Sequence, residues 1–206
     1  RARNIWNSSI YRGYSKDFVE TYLCTDGLPI SLSPLYQGDA SFDDQFINRD
    51  PRMHQSVYCS SDIWLIRVNG NIEYKQMPIF RQQETPTGFY IRKWRPIYEN
   101  LTVQNKSTVD DFIYRYSEVL VSYAEAKAEL GECTQEVLDK SINLLRGRVN
   151  MPPLTVNPVA DPSQDWEIPV SPLIHEIRRE RRIELCAEGK RWDDLVRWKA
   201  GKRVEK

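Results

Sequence analysis

Four glutamates recur at every fourth position near the end of the sequence: Glu176, Glu180, Glu184 and Glu188. On a helix, residues four apart lie on one face, with about 5–6 Å between their Cβ atoms. Carboxyl groups about 5–5.5 Å apart form the acid and nucleophile pair of a retaining glycosidase. The spacing therefore makes glycoside hydrolysis one candidate chemistry.

The arginines around this stripe argue against catalysis. Arg179, Arg181 and Arg191 each lie three residues from one of the four glutamates. A general acid needs a raised pKa, whereas a nearby guanidinium lowers the pKa of a carboxyl group. We therefore interpret the stripe as structural ion pairs and predict no catalytic residue, with a glycoside hydrolase as the less favoured alternative.

Motifs for other chemistry are missing from the sequence. It has no G-x-S-x-G, phosphate-loop, G-x-G-x-x-G or H-E-x-x-H pattern. It contains only two histidines, and its four cysteines include no C-x-x-C pair. The acidic segment with Asp39, Asp43 and Asp44 lacks the alternate spacing of an EF-hand. We therefore predict solvated acids, thiols that are free or buried, and neither a metal nor a cofactor.

The balance of charge and the aromatic content favour a different kind of ligand. Lysine plus arginine equals aspartate plus glutamate at 29 each, which gives no overall basic field for nucleic acid. Six tryptophans and eleven tyrosines offer flat rings that stack on pyranose sugars, with polar edges that bind hydroxyl groups.

Aromatic residues outside the helical pattern are the candidate ligand contacts, because binding residues concentrate on loops. Ordinary core packing is the alternative for each of them, and Trp192 and Trp198, within a helical pattern, are predicted core residues. The predicted ligand-binding residues are Trp6, Tyr11, Tyr36, Tyr58 and Trp64.

The chain changes character near residue 110. Residues 1–110 have short apolar runs separated by glycine, proline and asparagine, which indicates a loop-rich region with short strands. A strand is predicted over 63–68, ending at the turn 69–71. Apolar runs of about 18 residues, which a membrane span would need, do not occur.

Residues 111–148 have the periodicity of a helical hairpin, similar to one tetratricopeptide unit. Thr108 and Asp111 have capping-box spacing, and the first helix should begin between 111 and 115 and end before Gly131. The second helix should begin after Thr134 and extend to 146. The predicted apolar face of the first helix comprises Tyr116, Val119, Leu120, Tyr123 and Ala124.

The remaining residues form a proline-rich loop and a helical end. Five prolines between 149 and 171 predict a long irregular loop. In the C-terminal region 172–206, Ser171 should cap a helix that starts at Pro172 and runs to Glu188, before Gly189 ends it. A short helix over 192–200 is predicted to follow.

Six segments, in order, resemble the SusD/RagB-like nutrient-binding lipoproteins of the Bacteroidetes outer membrane. Val149 and Asn150 depart from the Ala-Gly usual in that family. The matching segments are F-V-E through D-G-L-P-I at 18–30, N-R-D-P-R at 48–52, T-G-F-Y with a lysine at 87–93, Y-R-Y-S-E-V-L and Y-A-E-A across 114–126, N-L-L-R-G-R at 143–148, and E-R-R-I-E-L, E-G, R-W, D-L and R-W across 180–198.

The resemblance implies a mainly α, tetratricopeptide-like helical hairpin scaffold with long irregular loops and a few short strands. It also implies a lipid-anchored outer-membrane protein at the cell surface, whose N-terminal anchor and further hairpins lie outside this C-terminal-region piece. Such proteins are not enzymes; they capture oligosaccharides, or peptides in some branches, and deliver them to a SusC-like TonB-dependent porin. A helical protein–protein interaction module is the alternative function.

Most of the matching positions belong to scaffold motifs, so they identify no ligand-binding residue. Their charges are placed to tie helices together. The predicted structural ion-pair network comprises Arg115, Glu118, Arg146, Arg181, Glu184, Glu188 and Arg191.

Overall fold

The computed structural model describes residues 13–80, 85–102, 112–164 and 166–204. The described chain is mostly helical with two short strands, in agreement with the mainly α prediction. The helices are α1 (Lys16–Glu20), α2 (Arg52–Ser56), α3 (Glu99–Thr102), α4 (Tyr116–Glu129), α5 (Gln135–Asp139), α6 (Ile142–Gly147), α7 (Pro172–Glu184) and α8 (Arg191–Arg197). The strands are β1 (Ile63–Ile66) and β2 (Ile72–Tyr74), and short 3₁₀ helices occupy Asp43–Phe46 and Gly201–Val204.

The chain forms two compact units, each assembled from separate segments. The first, called the hairpin unit after the β-hairpin that it contains, comprises described residues 13–19, 37–47, 53–80, 85–102 and 112–113. The second, called the helical unit, comprises described residues 20–36, 48–52, 114–164 and 166–204. The predicted loop-rich region therefore contributes to both units.

In the hairpin unit, β1 and β2 pair antiparallel, with Ile66 opposite Ile72 and Ile63 opposite Tyr74. The predicted turn joins them, and Gly70 there has a φ of 86°, a conformation that glycine adopts without steric cost. Beneath the strands lies a core of buried apolar side chains, which includes Trp64 and Leu65. The predicted strand is thus present, and it ends at Ile66 because the next two residues enter the turn.

The helical unit is built around α4, which packs against α5, α6 and α7. The contact of α4 with α5 and α6 forms the predicted helical hairpin. Its core consists of buried apolar side chains from these helices and the following loop: Leu120, Val121, Ala124, Leu138, Ile142, Leu145, Leu154, Ile177 and Leu185.

Three residues of the predicted apolar face of α4 do not pack inside the helical unit. Tyr116, Val119 and Tyr123 are exposed, whereas Leu120 and Ala124 are buried as predicted. The buried face of α4 is rotated about the helix axis relative to the predicted face. It also carries polar side chains, which bond to other parts of the helical unit. Helix α4 begins at Tyr116, and the capping box predicted at 108–111 lies outside the described residues.

The second helix of the hairpin is two short helices rather than one. Thr134 caps α5 as predicted, since its hydroxyl accepts a hydrogen bond from the Val137 N–H at 3.4 Å. The helix then breaks at Ser141, whose hydroxyl donates to the carbonyl oxygen of Val137 at 2.5 Å. This side-chain bond competes with the helical backbone pattern and accompanies the break.

Helix α7 begins as predicted and ends earlier than predicted. The Ser171 hydroxyl accepts a hydrogen bond from the Ile174 N–H at 3.3 Å, and Pro172 occupies the first turn. The helix ends at Glu184 instead of Glu188, in a turn where Ala187 and Gly189 have φ values of 58° and 79°. Glu188 therefore follows the helix that carries the other three glutamates.

Helix α8 is shorter than the predicted span, because it ends at Arg197. Trp198 is buried as predicted, but Trp192 is exposed and the core prediction for it is wrong. The loop over 149–171 has no helix or strand among its described residues, as predicted. Within the described part of the chain, helices that combine the length and apolarity of a membrane span are absent.

Candidate functional site

The glutamate at the centre of the stripe is buried and held by two arginines. Glu180 accepts a hydrogen bond on Oε1 from Arg146 Nε at 2.6 Å and one on Oε2 from Arg52 Nη1 at 2.9 Å. Arg52 is itself paired with Asp50, two residues before it, at 2.6 Å. Buried charges are tolerated only with such partners, so this cluster requires all four side chains.

These contacts decide the protonation state of the stripe. Burial would raise the pKa of Glu180, but the charges of Arg146 and Arg52 outweigh burial and lower the pKa to about 2. Burial opposes ionisation of Glu184 as well, yet Arg148, Arg52 and Arg115 hold its pKa below the ordinary value. A carboxyl group that is ionised at neutral pH cannot donate a proton as a general acid. The geometry therefore disfavours the glycosidase alternative.

Arg115, directly before α4, binds the end of α7. Its guanidinium donates to Glu188 Oε1 at 2.6 Å, to Glu184 Oε1 at 3.1 Å, and to the Glu184 carbonyl oxygen at 2.8 Å. Although Glu188 lies beyond the helix, the tight turn returns it to the same arginine. Arg148 binds the other oxygen of Glu184 at 2.9 Å.

Two further charges of the predicted network have partners that sequence reasoning missed. Arg181 donates from Nε to Asp194 Oδ1 at 2.8 Å and from Nη1 to the Ser122 hydroxyl at 3.0 Å. Glu118 pairs with Lys190 at 2.8 Å. These contacts tie α4 and α8 to α7, and the segment 180–198 contains both missed partners, Asp194 and Lys190.

The end of α8 provides another such contact. Glu125 of α4 binds Arg197 at 2.5 Å and accepts a hydrogen bond from the Trp198 indole N–H at 2.6 Å. The Arg191 guanidinium carbon lies 5.7 Å from the centre of the Trp198 ring, a cation–π distance. Glu125 is a buried polar residue of α4, which explains why apolar periodicity alone misplaced the packed face.

The aromatic residues predicted to bind ligand are distributed very differently. Trp6 and Tyr11 lie outside the described residues. Tyr36, in the helical unit, is partly exposed, and the Arg49 guanidinium carbon lies 5.4 Å from its ring centre. Of the predicted rings that the structure describes, Tyr36 alone presents surface to solvent.

Tyr58 and Trp64 are core residues of the hairpin unit, with exposures of 0% and 4%. Their rings lie 5.0 Å apart between centres, and the Arg95 guanidinium carbon lies 3.3 Å from the centre of the Trp64 ring. A ring enclosed in this way has no face to offer a sugar. Both rings thus pack in the core of the hairpin unit, which is the alternative considered for these residues.

Sequence reasoning missed exposed rings on the hairpin itself. Tyr74 of β2 and Tyr98, next to β1, are both exposed, as is Ile72. A usable signal was present, because Ile72, Glu73 and Tyr74 alternate directly after a turn. Tyr98 gave no such signal, since it joins the sheet through an isolated bridge to Ile66.

The helical unit contains an open groove of about 520 Å³ along α4. Its polar lining groups are engaged in the contacts described above, so it offers mainly apolar and tyrosine surface. The lining residues are Tyr114, Arg115, Glu118, Val119, Ser122 and Tyr123.

The acidic segment of the hairpin unit has structural partners rather than only solvent. Asp43 accepts hydrogen bonds from the Cys59 thiol at 3.2 Å and from the Ser60 N–H at 3.1 Å, and Asp39 pairs with Lys16 at 2.6 Å. Burial raises the pKa of the Cys59 thiol. Among the described residues, clusters of three or more side chains suited to a metal ion are absent, and all four cysteines are free thiols.

Solved structures give the first comparison with known proteins. A SusD-like carbohydrate binding protein from Bacteroides fragilis is 29% identical over 89% of this chain, with a TM-score of 0.59. A second SusD-like protein from the same organism is 25% identical over 92% of this chain, with a TM-score of 0.66. This chain spans 35% and 36% of their lengths. The tetratricopeptide-like helical fold of such proteins confirms the predicted fold class.

Curated proteins and family models give the second comparison. No curated protein matches the sequence. The model of the SusD family, however, matches residues 3–205, a range that includes all six of the motif segments. The chain therefore belongs to the SusD family, as its motifs predicted.

Proposed function

We propose that this chain is part of a non-catalytic protein that captures oligosaccharides at the cell surface and delivers them to a SusC-like TonB-dependent porin. The supporting observation is membership of the SusD family, together with a similar solved structure described as a carbohydrate binding protein. On this proposal the protein lies on the outer membrane, held by an N-terminal lipid anchor.

The ionisation and burial of the central glutamate of the stripe support glycan capture without hydrolysis. Hydrolysis of a glycosidic bond needs one carboxyl group that is protonated near the working pH. Glu180 is fully buried, with its pKa lowered to about 2 by arginines, so it neither reaches a substrate nor carries a proton at neutral pH. Its role in the proposal is to fix the scaffold that displays the ligand-binding rings.

Ligand contacts would come from rings with accessible faces. Tyr36 is one such candidate, and Trp6 and Tyr11 stay candidates from the sequence. Stacking on sugar faces combined with hydrogen bonds from ring edges would give modest affinity per ring and specificity through hydroxyl geometry. A peptide ligand is the alternative within the same family.

A second candidate function, a helical module for protein–protein interaction, is favoured by the groove along α4. Tyr114, Val119 and Tyr123 line this groove and are exposed, and the polar groups beside them are already bonded. Exposed apolar surface of this kind is typical of contact with another protein.

Calorimetric titration of the full-length protein against polysaccharides and peptides tests the proposal. Binding of a glycan without release of reducing sugar is the expected result, with co-purification of a porin in the same membrane fraction. Porin association without any ligand binding would favour the interaction module. Sugar release that disappears in a Glu184→Gln variant would overturn the non-catalytic assignment.

A further inference from the structure

Strand β1 lies between β2 on one side and the segment containing Tyr98 on the other. Ile66 is opposite Ile72 in the antiparallel ladder and also forms a parallel bridge with Tyr98. The Ile66 N–H donates to the carbonyl oxygen of Ile97 at 2.7 Å, which fixes this second edge. Residues paired across a ladder point to the same side of a sheet. Ile72, Ile66 and Tyr98 are therefore side by side on one face.

Tyr74 extends the same face, because it lies two residues beyond Ile72 on β2 and side chains alternate along a strand. Ile72, Tyr74 and Tyr98 have exposures of 51%, 57% and 52%, so about half of each side chain reaches solvent. Ladder spacing and rise per residue put Tyr74 and Tyr98 about 12 Å apart at their Cα atoms. This separation suits a ligand longer than one sugar ring.

The charged side chains next to this face lie on the other side of the sheet, because Arg67 and Glu73 directly adjoin residues of the face and side chains alternate along a strand. Arg67, at the end of β1, binds Glu73 at 2.6 Å and Glu99 at 2.6 Å. The Val68 N–H also donates to Glu99 at 2.9 Å, which holds that carboxylate in place. The positions that form the face itself are uncharged, which favours a neutral ligand over an anionic one.

The size of the face distinguishes a small ligand from a protein partner. A stable protein interface needs about 800 Å² from each partner, far more than three half-exposed side chains supply. Two phenol rings with polar edges, in contrast, match the alternation of apolar faces and hydroxyl edges on a sugar chain.

From these observations we infer that Ile72, Tyr74 and Tyr98 form a stacking platform for the uncharged pyranose rings of a polysaccharide. The inference rests on the proposed function and adds to it a location and a ligand class. Tyr74 and Tyr98 each stack on one sugar ring, and Ile72 extends the apolar surface beside Tyr74.

The experiment compares full-length wild-type protein with a Tyr74→Ala/Tyr98→Ala double variant by affinity electrophoresis in gels containing amylopectin, xylan, mannan or β-glucan. The double variant should bind the retained polysaccharide about tenfold more weakly, because two stacking contacts are lost. A Tyr74→Phe/Tyr98→Phe variant keeps both faces and should retain most of the binding. Tyr116→Ala removes an even more exposed ring from the other unit and should change nothing.

The outcomes separate this inference from the proposed function. Suppose that wild-type protein binds neutral glycans and that the alanine double variant, with native thermal stability, binds them with the same affinity. This result overturns the platform and leaves glycan capture intact. Equal losses in the alanine and phenylalanine variants would overturn stacking as the mode of contact, and preference for alginate over every neutral polysaccharide would overturn the ligand class. Wild-type protein that binds no glycan at all overturns both proposals.

Discussion

Arg146 donates a hydrogen bond of 2.6 Å from Nε to Oε1 of Glu180, and the two side chains are exposed by only 3% and 0%. This pair joins α6 to the middle of α7, while Arg52 reaches the other oxygen of the same carboxylate. The helical unit is thus organised around one buried anion with partners from two distant segments. Its stability should depend on that anion more than on any surface charge.

Replacement of the central carboxylate should destabilise the protein strongly. Glu180→Gln leaves Arg146 and Arg52 as buried cations without their shared anion, and breaking a buried pair in this way costs about 3–5 kcal/mol. Chemical denaturation followed by circular dichroism measures the loss.

A surface pair provides the matched control for that substitution. Glu136 and Lys140 form a salt bridge one helical turn apart, with both side chains largely exposed. Glu136→Gln should leave the denaturation midpoint unchanged, since exposed pairs contribute little. Equal shifts in the two variants would contradict a special role for the buried carboxylate.

The same carboxylate should make stability depend on acidity. Its pKa in the folded protein is about 2, against an ordinary value of 4.5. Because the folded-state pKa is lowered, the stabilisation is complete above pH 4.5 and is lost as the pH falls towards 2. The expected loss is about 3 kcal/mol for this group.

Measurement of the unfolding free energy between pH 5 and pH 2 tests that dependence. The Glu180→Gln variant lacks the titrating group, so its curve should be flatter over the same interval. Parallel curves for wild type and variant would show that other carboxyl groups account for the acid sensitivity.

Loss of the cap on α7 should cost a smaller amount. The Ser171 hydroxyl accepts from the Ile174 N–H, and Ser171→Ala removes that acceptor at a cost of about 1 kcal/mol. Ser171→Asp keeps an acceptor and places a negative charge at the helix N-terminus, so it should retain wild-type stability. An alanine variant as stable as the aspartate variant would show that the cap is dispensable.

Trp64 should behave as a core residue when it is truncated. Trp64→Ala removes a ring packed against Tyr58 and Arg95 and should destabilise the protein by about 3–5 kcal/mol. Trp192→Ala, at an exposed position, should have little effect on the melting temperature. A Trp64→Ala protein with normal stability and no glycan affinity would instead return this ring to the ligand site.

Features controlled by local chemistry were predictable from the sequence. Thr134 and Ser171 cap their helices as predicted, because a cap depends on a hydroxyl and an N–H three residues later. The turn after β1 also formed where asparagine and glycine indicated it. In these cases the partners are close in sequence, so spacing alone identifies them.

Features that depend on distant partners were not predictable in the same way. Arg52 lies in a motif that the sequence reading recognised, but its bond to Glu180 joins residues 128 positions apart. The accessible rings were misjudged for a related reason. Tyr58 and Tyr74 are both tyrosines near short strands, and only tertiary packing buries the first and exposes the second.

The separation between Arg52 and Glu180 also has a consequence for biosynthesis. Ribosomes add about 5–20 residues per second, so the 128 positions between them correspond to roughly 6–26 s of translation. During that interval the nascent chain carries Arg52 and Asp50 without the anion that completes their cluster. The helical unit is therefore expected to assemble only after α7 has left the exit tunnel, and polypeptides truncated before that helix should be substrates for chaperones and proteases.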